Sequence, residues 1–250
     1  MTTTIDEHHV VGPLGSDFWK LEVPPELVPA LARELDWNRL GRRVMIDARE
    51  GIISWMSPSG THEGLIESSD MTVKVAGAIL DREVKAVRGI RWKRPGDPPN
   101  VGLEADASFY IGTNAERWLA VYREGGENAV QDFEAGTPPD LVIEVEIANS
   151  DDDKPDRYAS LGVREMWRVH GKIGSDRYRV EILNLQEGNG PRPVESSIVL
   201  DGLEPGILPA AFRLARGNNY RGLQELLKEK LVPAGNPESE PNKSPPTPSM

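Results

Sequence analysis

Three residues of this chain could together act on a phosphate group: Asp106, Glu144 and Lys154. Glu144 lies inside the run LVIEVEI. Side chains alternate across a strand, so Glu144 and Glu146 share a face with Val142, opposite Leu141, Ile143, Val145 and Ile147. Carboxylates on so apolar a strand are costly unless paired, hydrogen-bonded or bound to a metal. The competing reading is an ordinary half-buried strand whose second face meets solvent. Asp106 opens another apolar run, ASFYI, after the turn-like GLEA, and alone would be a strand or turn residue. Taken together, two carboxylates and an ammonium suit Mg²⁺, which keeps several waters and takes substrate phosphate as a further ligand. The lysine would position a water or stabilise charge in the transition state.

Other residues have two readings each. His62 could be a general base, or could hydrogen-bond locally at a helix start. Asp151, Asp152 and Asp153 could hold a second cation, or complement a helix dipole. Asp140 follows a proline but lies on the same strand as Glu144, which makes it a strand-start residue first and a site residue second. Tyr158 and Trp167 read as packing between helix and sheet.

These positions need a scaffold. PPELVPALAREL predicts an early helix with Leu27, Leu31 and Leu35 facing inward. RRVMID and GIISWM flank AREG as a hairpin. A long helix is expected from His62 to Leu80, although its middle, IESSDMTVK, is a poor helix former. The β-rich runs VKAVRGIRWK, ADASFYIG, DLVIEVEI, REMWRVHG and DRYRVEILNL follow. A polar insertion separates ADASFYIG from DLVIEVEI, and KPDRYASLG is a helix capped by Asp152 or Asp153. Helices near Pro209 to Ala215 and Tyr220 to Leu231 close the domain. The mixture predicts an α/β (α+β) fold with a mixed central β-sheet flanked by helices. Residues 1–16 read as a flexible arm, 17–231 as a single domain and 232–250 as a disordered Pro/Ser-rich tail.

Composition narrows the chemistry. The chain has 250 residues, 38% of them hydrophobic, enough for one well-packed domain. It has no cysteine, which excludes disulfides, thiolate metal sites and cysteine nucleophiles. Of four histidines, His8 and His9 fall in the arm, so carboxylates are the available ligands. A formal charge of −11 argues against passive coating of nucleic acid. A local basic strip remains available, because REVKAVRGIRWKR, from Arg82 to Arg94, carries six basic residues against one acid; the alternative is a solvated strand end. No apolar stretch is long enough to span a membrane and the first residues lack signal-peptide character, so a cytoplasmic protein is expected. Phosphate-binding loops, dinucleotide fingerprints and nucleophile elbows are absent.

The segments GLEADASFYIG, PPDLVIEVEIANSDDDKPDRYASLGVREMWRVHG and, upstream, WMSPSGTHEGLI resemble the Uma family of bacterial restriction-type endonucleases in the PD-(D/E)xK nuclease superfamily. The resemblance runs from about Arg42 to Gly171. It implies a restriction-endonuclease-like core and DNA cleavage that depends on Mg²⁺, with Mn²⁺ as a substitute. By the same resemblance, Asp106 and Glu144 match the two metal-binding acids and Lys154 matches a lysine moved from strand to helix. Glu63, beside His62, matches an upstream helical acid. Cutting both strands implies a homodimer. Two positions depart from the pattern: Ala105 replaces the usual proline, and Glu146 replaces the strand lysine. That second departure keeps an alternative open, a catalytically weak or inactive nuclease-fold module that binds nucleic acid or protein.

Overall fold

The computed structural model describes residues 10–11, 18–34, 43–47, 49–56, 60–94, 102–147, 151–171, 177–186 and 190–232. In chain order, β1 (Val10–Val11) and β2 (Phe18–Glu22) precede a 3-10 turn and α1 (Val28–Glu34). The hairpin β3 (Arg43–Asp47) and β4 (Ile52–Met56) leads into the long α2 (Gly60–Ile79). Then come β5 (Val84–Val87), β6 (Arg91–Trp92), β7 (Leu103–Glu104), β8 (Ala107–Ile111) and α3 (Thr113–Gly136). The chain continues through β9 (Leu141–Glu146), α4 (Lys154–Leu161), β10 (Glu165–His170), β11 (Arg179–Asn184) and β12 (Arg192–Pro193). Helices α5 (Leu208–Arg216) and α6 (Tyr220–Leu231) follow.

The central sheet has six strands in the order β12-β11-β10-β9-β8-β5. It is mixed: β9 and β10 run parallel, joined through α4, while the other neighbours are antiparallel. The alternation along β9 divides the core. Leu141, Ile143 and Val145 pack with Leu65, Ile66 and Val73 of α2 and with Phe212, Leu223 and Leu227 of the last two helices. Val142 faces the other way, toward Trp118 of α3, Tyr158 of α4 and Met166 of β10. Both faces are therefore covered, which makes the expected half-exposed strand a fully buried one. A second sheet, β1-β2-β4-β3, carries its own small core of Val28, Ile46 and Ile53.

Several expectations need correction. Leu27 is 43% exposed and Val28, one residue on, is the buried anchor of α1; Leu35 lies outside the described residues. The polar insertion after β8 is helical, kinked at Gly126 (φ 66°). Its inward residues, Ala115, Trp118 and Val130, are too few and too far apart to show a period, and the kink shifts their phase. VKAVRGIRWK splits into β5 and β6 around Gly89, which adopts φ 69°. Val10 and Val11, inside the presumed loose arm, pair with Leu21 and Lys20 of β2. Residues 233–250, most of the expected tail, lie outside the described residues.

The long helix survives its weak middle for a local reason. The buried hydroxyls of Ser68, Ser69 and Thr72 donate to the carbonyls of Gly64, Ile66 and Ser68 at 2.6, 2.8 and 2.8 Å. Each polar group is thereby satisfied without leaving the helix. Among the described residues, no helix is long and apolar enough to cross a membrane.

Candidate active site

The antiparallel register of β8 and β9 pairs Ala107 with Ile143 and Ser108 with Val142. One step beyond, that register sets Asp106 against Glu144. The Asp106 carboxylate is 4% exposed and its Oδ2 accepts the Val145 amide at 2.7 Å. His62, near the start of α2, places Nε2 3.2 Å from the same oxygen. Asp106 thus sits where a strand end, its neighbour and a helix start meet.

Glu144 is 2% exposed and both its oxygens are engaged. Helix α4 supplies both donors, because residues four apart lie on one helical face. The Lys154 ammonium donates to Oε2 at 2.5 Å and the Tyr158 hydroxyl to Oε1 at 2.5 Å. Burial works against the charged Lys154, but the carboxylates of Glu144 and Asp106 outweigh it and hold the ammonium pKa above its ordinary value. Burial, reinforced by Glu144, pushes the Tyr158 phenol well above its usual value, so it remains a donor. Tyr158 therefore does more than pack, and its spacing from Lys154 was the available signal.

Glu146, on the same face, makes a separate network. Arg168 of β10 donates to it through Nε at 3.1 Å and Nη2 at 3.0 Å, and Nη2 also reaches Asp152 at 3.2 Å. His170 Nδ1 lies 3.3 Å from Glu146. Burial, opposed by Arg168, pushes the Glu146 carboxyl up to about 7. Glu146, which stands where the resemblance calls for a strand lysine, is thus structurally tied to β10.

Glu63 keeps a side chain 44% exposed and meets the cluster through His62, its Oε1 lying 3.5 Å from Nδ1. Asp140 is fully engaged at the strand start, accepting from the Ile111 amide, Asn114 and Arg164. Asp153 occupies the N-cap position of α4 without a side-chain cap. Asp151 instead accepts the Asp153 amide and pairs with Arg157. The basic segment is dispersed: Arg82 bonds Val199 O and Asp201, Lys85 stands over the Trp118 ring, and Arg88 and Arg91 approach Asp70 and Glu104.

Among the described residues, no three His, Asp or Glu side chains gather as a ready cation cage. Asp106 and Glu144 are a two-carboxylate donor set, which fits a small hard cation that draws its remaining ligands from water and phosphate. It does not fit ions that need an all-protein shell.

A mixed sheet covered on both faces, with acids on adjoining strands, defines a chain of the restriction-endonuclease-like class. A family model, Uma2, described as putative restriction endonuclease, matches residues 33–216. The chain belongs to that family. No curated protein matched the sequence.

Proposed function

We propose that this protein is a divalent-metal-dependent DNA endonuclease, with Asp106 and Glu144 holding Mg²⁺ or Mn²⁺. The observation that supports this most directly is the meeting of Asp106, Glu144 and the Lys154 ammonium at the β8–β9 end, under α4. A bound divalent cation supplies polarisation of the scissile phosphate and acidifies water. The chain's own groups do the rest. Lys154, protonated and shielded from solvent, donates to phosphoryl oxygen as negative charge develops. The Val145 amide fixes the Asp106 carboxylate, and Tyr158 orients Glu144 from its other oxygen. His62 buttresses Asp106 from α2, and Glu63 completes the acidic cluster through His62. Cutting two strands calls for a second copy of the site, supplied by a homodimer.

The test is nicking of supercoiled plasmid with Mg²⁺ or Mn²⁺ by wild type, Asp106→Ala and Glu144→Ala. The reading requires cleavage by wild type alone. Equal inertness of all three proteins across metals and DNA forms would reject it. A second reading draws on the same geometry: both Glu144 oxygens are already taken and Glu146 is bound by Arg168, as befits a module that binds without cutting. Metal-independent binding of DNA with no cleavage would select that one.

A further inference from the structure

Lys154 and Tyr158 both end on Glu144, the carboxylate that the nuclease reading shares with a cation, so neither bond anchors α4 independently of the site. A lysine on its flexible four-carbon stem can also keep such a bond while the helix shifts. The Arg157–Asp151 pair lies within the same segment and does not tie it to the sheet. Arg168 of β10 supplies a fastening that does not draw on Glu144. In the parallel register of the two strands it stands beside Glu144, and alternation puts its side chain on the face of β10 that carries Met166, which shares a core with Tyr158.

The Arg168 guanidinium is set by a two-bond grip on Glu146, through Nε at 3.1 Å and Nη2 at 3.0 Å. Nη2 carries a second N–H, and this atom also reaches Asp152 Oδ1 at 3.2 Å. A planar fork already held at two points loses little further freedom in making the third bond. Arg168 is 9% exposed, whereas the Asp152 side chain is 85% exposed, so rigidity in β9 and β10 is passed outward to the turn before α4. Asp152 lies two residues ahead of Lys154, on the segment whose placement decides whether the ammonium meets Glu144. We infer that Arg168 is a positioning residue for Lys154, fixing the entry to α4 by holding Glu146 and Asp152 at once. The inference rests on the nuclease reading for the use made of Lys154, and on the contacts alone for its placement.

The experiment measures acylation of Lys154 by the N-hydroxysuccinimide ester of acetate in the full chain without metal, read by peptide mass spectrometry, with the exposed Lys228 as internal reference. Wild-type Lys154, 6% exposed and bonded to Glu144, is expected to react slowly. Asp152→Ala removes an exposed side chain, so the fold is expected to persist, which a thermal melt checks. In this variant Lys154 is expected to react about two- to fivefold faster, the scale of one exposed ion pair, with Lys228 unchanged. Asp153→Ala removes the same charge from the same turn, where no side-chain cap is made, and is expected to match wild type. With Glu146→Gln and Arg168→Met combined, both buried charges are gone and Asp152→Ala is expected to add nothing further. In plasmid nicking with Mg²⁺, Asp152→Ala is expected to lower kcat by a similar factor at unchanged KM, the mark of an interaction made in the transition state. Equal acylation of Lys154 in wild type and Asp152→Ala overturns the inference. So does an equal rise in Asp153→Ala, a further rise when Asp152→Ala is added to the paired variant, or a kinetic change confined to KM. Faster acylation in a protein that cuts no DNA supports the placement of Lys154 by Arg168 and rejects the nuclease reading alone.

Discussion

The Asp106 carboxylate accepts the Val145 amide at 2.7 Å, so an acid proposed to hold a cation also ties the start of β8 to β9. Its structural and chemical duties can be separated by substitution. Asp106→Asn keeps an acceptor for Val145, whereas Asp106→Ala leaves a buried amide without one, a loss of about 1–3 kcal/mol. Melting of the Asn variant is expected near wild type and of the Ala variant below it. Both are expected to lose plasmid cleavage by more than the about 10–100-fold typical of residues that only support metal ligands.

Lys154 and Glu144 form a buried ion pair at 2.5 Å, and removing one partner strands the other. Lys154→Met is expected to destabilise by about 3–5 kcal/mol. The double variant Lys154→Met/Glu144→Gln is expected to recover much of that loss, since both charges are gone. Denaturant titration of the four proteins in the cycle measures the coupling. Additive losses would mean that the pair is not stabilised as the geometry indicates.

Placing a lysine on the strand at position 146 is not expected to help. Glu146→Lys would place a second cation against Arg168, whose Nε and Nη2 both donate to Glu146. Stability is expected to fall by about 3–5 kcal/mol, with no gain in cleavage. Faster cleavage by this variant at unchanged stability would show that Lys154 does not substitute for the strand position.

Glu165 governs part of the pH response. It is fully buried, accepting from Trp167, Ser197 and the Ile198 amide, yet burial still raises its pKa above 4.5. Above 4.5 the folded state therefore retains a proton that the unfolded state has lost. The associated stability is fully present below that value and is lost as pH rises through the folded pKa. Unfolding free energies measured from mildly acidic to neutral pH are expected to decline more steeply in wild type than in Glu165→Gln. Parallel slopes would count against the assignment.

The strand bearing Glu144 was legible in the sequence because β-branched residues and alternation coincide there, whereas its pairing and register with β8 come from the structure alone. Lys154 and Tyr158 could be paired by helical spacing, but only the docking of α4 reveals that both end on one carboxylate. Burial of Glu146 could not be read, because nothing in LVIEVEI says whether a second layer covers its polar face. Arg168 supplies the missing reason from a different strand. The α3 helix was hidden by Gly125 and Gly126, which break the apolar period where the axis turns.

Supplying the ammonium from α4 rather than from β9 changes what controls it. A lysine on the strand would be held by the hydrogen-bond ladder; Lys154 is held by the seating of an eight-residue helix. Helices that short are not stable alone, so the docking of α4 carries its own opening equilibrium, distinct from global unfolding. Amides of α4 are therefore expected to exchange with solvent deuterium sooner than those of β9. Under the proposed mechanism, the fraction of molecules with α4 seated sets an upper limit on the fraction able to react, so helix docking would act as a thermostat for the site.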